Sequence, residues 1–345
     1  MSLVCRIHAA RDLRLEQDPD PVLSPHEVRM ALGAGGICGS DMHYYQHAAV
    51  GAFVMREPLI PGHEVSGVVA EIGSAVTRVK PGDKVAVNPS HACGQCSYCL
   101  GGRFNLCRNM RFLGSASVWP HMQGMFRERF VMNEANLTPI SEDISLGEIA
   151  CAEPLSIGLH AVHRAGGALL GKAVLITGGG TIGCMSVLAA RLAGASKVVV
   201  CDINDRALGI ARQVGADETI RSDQCTPQEL ADMADITIEA AGSPAALNTC
   251  LAATRRGGRI VQVGTLPAEG VPFPANSIMA RELEYVGAFR AAHAFDWAVQ
   301  ALRSRRVDVR PLISAQLPIG RAVEAFELAA DRTRSTKVQI VSEAL

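Results

Sequence analysis

The stretch 173–205, AVLITGGGTIGCMSVLAARLAGASKVVVCDIND, leaves this chain few folds to choose from. Residues 173–177 are a short apolar, partly β-branched run, the composition of a strand buried on both faces. Gly178, Gly180 and Gly183 follow as G-x-G-x-x-G, and Ile182, Met185, Leu188, Ala189 and Leu192 then recur at helical spacing. A second strand, 197–201, is ended by Asp202, nineteen residues after Gly183. Each part of this unit has a physical task. Two glycines let the backbone turn and approach a pyrophosphate, and the third lets helix pack on strand. The helix start, at Ile182, offers free N–H groups to phosphate. Asp202 is placed to accept hydrogen bonds from an adenosine ribose. The unit is expected to bind a dinucleotide on a doubly wound parallel sheet, an α/β architecture.

The unit needs only part of 345 residues, and that length suggests about two domains. An apolar fraction of 48% with 19% charged residues describes a globular chain with ample core material. A formal net charge of −1 gives no reason to expect nucleic acid or an anionic membrane as partner. No apolar run approaches the ~18 residues of a spanning helix, and residues 1–10 lack a secretory h-region, so a cytoplasmic location is expected. Eleven cysteines are too sparse for a disulfide scaffold, yet four of them fall within residues 93–107. That crowding points to metal.

The N-terminal part carries a second chemistry. Residues 4–8 and 27–33 read as strands, and a glycine-rich turn, GGICGSDMHYY, places Cys38 beside Ser40 and His43. His63 and Glu64 follow Pro61-Gly62 and open a β stretch bent at Gly67 and Gly73. A Pro-Gly turn lies within 79–87, and such short strands broken by Gly and Pro suggest a small irregular β-barrel. A thiolate (Cys38), an imidazole (His63) and a carboxylate (Glu64) in one β-rich domain form a three-ligand zinc set with an open fourth position. Cys93, Cys96, Cys99 and Cys107 give C-x₂-C-x₂-C-x₇-C, the short-loop spacing of a closed tetrahedral zinc site. An iron–sulfur cluster is the alternative, disfavoured because the fourth cysteine comes seven residues on with no following Pro.

These residues together resemble one family. GHEVSGVVAEIGSAV fits the G-H-E-x₂-G-x₅-G-x₂-V pattern of zinc-containing medium-chain alcohol dehydrogenases, and the cysteine lobe and glycine turn follow in that family's order. GICGSDMHYY, His63-Glu64 and CAEPLSIGLHAVHRA around Glu153 resemble its polyol dehydrogenase branch. NPSHACGQCSYC, MRFLGSASVWPH, GAFR and PLISAQLP are similar to the members that oxidise sugar acids. The resemblance implies a GroES-like β-barrel catalytic domain, 1–149 and 288–345, interrupted by a Rossmann domain, 150–287. Residues 147–165 then form a connecting helix after the stretch 138–143. Residues 235–240 and 259–264 add parallel strands, 284–289 lead back to the barrel, and 294–302 and 321–330 are amphipathic helices. Val323, Phe326 and Ala330 share a face of the latter, and 337–341 is a closing strand.

The resemblance also implies two zinc ions per chain, one catalytic and one structural, and a homotetramer. The substrate is expected to be a small sugar acid or polyol whose hydroxyl occupies the open position on zinc. Ser40 takes its proton and His43 passes it to solvent through the cofactor ribose; a capping serine and a surface histidine are the plainer alternatives. Cys38 and His63 are ligands, while Glu64 and Glu153 compete for the third place, one directly and one through water. Arg290 matches the arginine such enzymes place near substrate, or else forms an ion pair at a subunit contact. The family's neighbouring tyrosine is replaced by Ala291, and Tyr44 is a further candidate hydroxyl donor that would otherwise simply pack. Asp202 repels a 2′-phosphate and favours NAD; Arg206, four residues on, keeps NADP open. The competing readings are a neutral-polyol or threonine dehydrogenase, and a catalytically inactive NAD(H)-binding protein. Cys38, His63 and Ser40, the residues an inactive form would lose, are all present.

Overall fold

The computed structural model describes residues 1–140 and 143–343. The chain divides into two compact units, one of 1–153, 299–304 and 313–345, the other of 154–298 and 305–312. The second unit begins at Pro154, and the chain returns to the first at Val299, where the sequence placed these borders at 150 and 288.

The second unit is built on a six-stranded sheet. Its order is Glu218–Arg221, Lys197–Asp202, Ala173–Thr177, Ala234–Glu239, Thr254–Gln262 and Glu284–Gly287. Every neighbouring pair is parallel. Numbered along the chain this is 3-2-1-4-5-6, the doubly wound order, whose switch point lies between the first and fourth strands. Val174, Leu175 and Ile176 are fully buried, as a strand covered on both faces requires. Glu284–Gly287 is thus the sixth strand of this sheet, a correction to its expected role as the lead back to the barrel. A strand this short with an exposed burial pattern carries no mark of which sheet it joins.

The first unit centres on a mixed seven-stranded sheet. Its path runs Leu137–Pro139, Lys84–Val87, Glu64–Ile72, Glu27–Gly36, Lys337–Val341 and Ile313–Pro318, with Arg129–Asn133 also pairing to Glu27–Gly36. Glu27–Gly36 alternates in burial at its start and is wholly buried over its last half, because it is central. Register shifts at Arg29/Met30 and Leu32/Ala34 bend its pairing with Glu64–Ile72. Met30, Leu32, Val65, Phe126, Phe326 and Ile340 belong to the core this sheet encloses. Lys337–Val341, the last strand of the chain, forms as expected and pairs between Glu27–Gly36 and Ile313–Pro318.

Two helical expectations change in detail. The helix expected over 147–165 is two, Leu146–Ala150 and Ala152–Arg164, which meet at Cys151. Residues 141 and 142 of the preceding stretch 138–143 lie outside the described residues. In Ala322–Ala330 the buried face is Ala322, Ala325 and Phe326, whereas Val323 and Ala330 are exposed. Among the described residues no helix is long and apolar enough to cross a membrane.

Candidate zinc centres and dinucleotide turn

Cys38 ends the turn after the central strand and caps the helix Gly39–His47, while His63 and Glu64 stand at the start of Glu64–Ile72, the strand beside it. Sheet pairing sets Gly36 opposite Glu64, so residues far apart in sequence converge. One ligand atom each from Cys38, His63 and Glu64 lies within 4.8 Å of the others. Nδ1 of His63 has no hydrogen-bond partner and lies 3.7 Å from Asp41 Oδ1. The ring's hydrogen bond to Cys38 therefore runs from Nε2, which faces the thiol. Phe112 meets the imidazole edge-on, with ring centroids 5.3 Å apart.

Asp41, which the sequence reading passed over, organises this corner. Its carboxylate is fully buried and accepts from the backbone N–H of Cys38 and of Gly62, each at 3.0 Å. Burial raises its carboxyl above the usual range. Burial of the His63 ring works against a charge, yet Asp41 above all, with Cys38 and Glu153, raises the imidazole well above its ordinary value. A corner that concentrates enough negative charge to hold an extra proton suits a dication that displaces it. The local signal was present: an acid three residues after the candidate thiolate.

Glu153 is buried on the helix Ala152–Arg164 and stands outside the three-residue cluster. Burial first, then the charges of Glu64 and Asp41, push its carboxyl up to about 7, opposed by His63 and Lys337. Ser40 and His43 lie three apart on the helix Gly39–His47 and so on one face of it. His43 is exposed, and partial burial of its ring with the charges of His47 and Arg332 lowers its imidazole, leaving it neutral at pH 7. Tyr44 is 2% exposed and its hydroxyl accepts from Ala116 N–H at 2.9 Å. That is the placement of a packed core tyrosine.

The four-cysteine lobe hangs between Ser90–His91 and Arg111–Phe112, which pair as a small hairpin. All four sulfurs lie within 4.8 Å of one another, with Cys96–Cys99 at 3.6 Å and Cys93–Cys99 at 4.0 Å. A tetrahedron with Zn–S bonds of about 2.3 Å has edges of about 3.8 Å, so the lobe has the size of one zinc ion. Backbone N–H groups of Arg108 and Cys99 pull the Cys96 thiol down to about 6, and those of Gln95 and Cys96 lower Cys93. Both favour the thiolates a metal needs, whereas burial, then Cys96 and Cys107, pushes the Cys99 thiol up to about 12, so that proton has to be displaced by the metal itself.

In the second unit the three glycines meet three demands. Gly178 has φ +93°, and a Cβ there would lie 2.8 Å from the Ala241 nitrogen. A Cβ on Gly183 would lie 1.7 Å from the Gly178 oxygen, the close helix–strand approach that bars any side chain. At Gly180 a Cβ would meet nothing within 4 Å, leaving room for a ligand's phosphates. Gly180 caps the helix Thr181–Leu192 without a side-chain bond, and no acid stands in the first turn beside Ile182. A helix start without an acidic residue suits an anion by its dipole. Asp202 Oδ2 accepts from Gly179 N–H at 2.6 Å and Oδ1 from Asn204 N–H at 2.8 Å. Each carboxylate oxygen keeps a further lone pair for a hydrogen bond. Arg206 is exposed in the first turn of the next helix. Arg290, at φ +55°, stacks its guanidinium on Phe289 at 4.9 Å.

Residues 24–142 match the alcohol dehydrogenase GroES-like domain and residues 181–304 the zinc-binding dehydrogenase family. Sorbitol dehydrogenase of Gallus gallus is 37% identical over 334 residues, covering 94% of this chain and 92% of that protein. The chain belongs to the zinc-containing alcohol dehydrogenase family. Its relatives place this dehydrogenase in the polyol branch. L-idonate 5-dehydrogenase of Escherichia coli K12 is 38% identical over 310 residues, covering 89% of each chain. The crystal structure of L-idonate 5-dehydrogenase from E. coli K-12 superposes at a TM-score of 0.93 and 35% identity, covering 99% of this chain and 98% of that one. A zinc-binding dehydrogenase from Sinorhizobium meliloti 1021, solved bound to NADP, superposes at 0.91 and 29% identity, covering 99% of each. The dehydrogenase therefore has a GroES-like plus Rossmann architecture and is a zinc-binding oxidoreductase.

Proposed function

We propose that this dehydrogenase oxidises a secondary hydroxyl of a sugar acid, converting L-idonate to 5-keto-D-gluconate with NAD as acceptor. The observation that carries the reaction class is the convergence of Cys38, His63 and Glu64 on one point, with a second, closed set of four thiolates elsewhere. Two zinc ions per chain, one catalytic and one structural, follow from those two sets. Bound there, zinc supplies Lewis-acid polarisation of the substrate oxygen, and NAD accepts the hydride. The chain's own residues do the rest. Asp41 holds the corner that presents His63 Nε2 and Cys38 Sγ, and Glu64 completes the ligand set ahead of Glu153. Ser40 Oγ takes the hydroxyl proton and the exposed, neutral His43 passes it to solvent. Gly178, Gly180 and Gly183 with the helix start at Ile182 hold the pyrophosphate. Asp202 takes the ribose, beside Arg206.

The substrate rests on the sugar-acid-like stretches of the sequence, on the relatives' activities and on Arg290, whose fork can hold a carboxylate bidentately. A homotetramer in the cytoplasm is the assembly and location that go with this reading. The neutral-polyol alternative is favoured by the sorbitol dehydrogenase relatives. The deciding measurement is kcat/KM for L-idonate, sorbitol and xylitol, followed by NADH absorbance, in wild type and Arg290→Ala. A charge-assisted pair of about 1.5–3 kcal/mol favours the acid by roughly ten- to a hundredfold. Arg290→Ala then loses more on idonate than on sorbitol. Wild type preferring sorbitol or xylitol replaces the idonate reading with the general polyol one; no turnover with any polyol leaves an NAD(H)-binding protein.

A further inference from the structure

Lys337 opens the closing strand Lys337–Val341 and is 2% exposed. A lysine so buried needs a partner for its charge. Its ammonium donates to Glu64 Oε2 at 2.6 Å and to the Ile37 carbonyl at 2.9 Å. One cation therefore grips a candidate metal ligand and the residue immediately before another, Cys38. The packing around this grip is tight. A Cβ on Gly36 would lie 2.2 Å from Glu64 Oε2 and 3.1 Å from Lys337 Cδ, so the central strand leaves the pair just enough room.

We propose that Lys337 is a positioning residue for the catalytic metal centre: by engaging Glu64 Oε2 and the Ile37 carbonyl, it leaves Glu64 a single oxygen for the metal and so keeps a coordination position free for substrate. This rests on the reading of Cys38, His63 and Glu64 as a zinc set. A carboxylate can otherwise bind a metal through both oxygens, which would fill the position the alcohol requires. The ammonium also sets a positive charge close to the incoming dication, so it limits how tightly the metal is held. The change in coordination number, rather than in affinity alone, is what separates this role from simple neutralisation of a buried carboxylate.

The test uses protein with cobalt(II) in place of zinc, whose visible d–d bands are intense in four-coordinate sites and weaken as coordination number rises. Subtracting the spectrum of cobalt-loaded Cys38→Ala removes the contribution of the four-cysteine lobe. In Lys337→Met the second oxygen of Glu64 is freed. The bands should lose intensity, and the metal should pass to a competing chelator roughly tenfold more slowly than from wild type. Gly36→Ala, whose methyl would overlap Glu64 Oε2 and press on Lys337 Cδ and so break the grip, should release the metal faster and also alter the bands. Unchanged bands and release in Lys337→Met overturn the proposal even if its melting temperature falls, since that outcome describes a structural ion pair alone. Should Lys337→Met fail to fold, Gly36→Ala decides, and an unaltered spectrum there overturns it. If Cys38→Ala keeps the full wild-type spectrum, the zinc reading itself is what fails.

Discussion

Replacing Asp41 tests whether one buried carboxylate holds the catalytic corner together. Its oxygens accept from Gly62 N–H, which is buried, and Cys38 N–H, which is partly buried. In Asp41→Ala both donors lose their acceptor. An orphaned buried donor costs about 1–3 kcal/mol, so the pair costs about 2–4 kcal/mol, with the buried Gly62 group the larger share. For a unit of this size each kcal/mol moves the melting temperature by about 2–4 °C, giving a fall of about 4–16 °C. The two donors belong to Cys38 and to the residue before His63, and Asp41 Oδ1 faces His63 Nδ1 at 3.7 Å. Metal retention should therefore fall with stability. Outer partners of ligating histidines are typically worth 10–100-fold in metal affinity. Asp41→Asn keeps an acceptor but loses the charge, so it should melt between wild type and Asp41→Ala while holding metal nearly as poorly. The assay is thermal unfolding of the metal-loaded protein together with competition against a chromophoric chelator. If Asp41→Ala melts within a degree of wild type and keeps its metal equally well, the argument for Asp41 is wrong.

Other outcomes follow from the same geometry. Metal analysis should find two zinc ions per chain. Because structural zinc is worth about 10–16 kcal/mol in model peptides, Cys99→Ser should damage folding, whereas His63→Ala should leave a folded, inactive protein; one zinc or iron per chain would refute this. Asp202→Ala removes a charged partner of the ribose, so NADH affinity should drop about tenfold or more and the gap to NADPH narrow, read by NADH fluorescence. An unchanged affinity would mean that the carboxylate serves only Gly179 and Asn204. In metal-free protein Glu153 has its carboxyl raised to about 7 from an ordinary 4.5, so the folded state holds that proton more tightly than the unfolded one. The resulting stability is present below about pH 4.5 and is lost as pH rises through about 7, on the order of 3 kcal/mol. Urea midpoints of metal-free Glu153→Gln should lack that part of the decline. Parallel curves for variant and wild type would refute the assignment.

What the sequence determined by itself is what short-range geometry dictates. The strand Ala173–Thr177, its glycine turn and the helix behind it were legible because turn sterics and helical period act within about thirty residues. The four-cysteine lobe was legible because its loops are too short to place four thiolates anywhere but together. The strand Lys337–Val341 was placed by the family resemblance rather than by any periodicity, since four of its five residues are buried in a row. Tertiary structure decided the rest, wherever the deciding contact crosses the chain. Glu64 joins Cys38 and His63 because sheet register sets Gly36 against Glu64, and Glu153 falls outside that cluster. Lys337 reaches Glu64 across 273 residues, a contact for which no local pattern exists. Tyr44 is buried with Ala116 N–H donating to its hydroxyl oxygen, and Glu284–Gly287 pairs with Thr254–Gln262 at the edge of the parallel sheet, placements that no local pattern marks. Sequence periodicity reports which face of an element avoids water. Which neighbour covers that face, and which polar atom meets which, is settled only when the strands pair and the core closes.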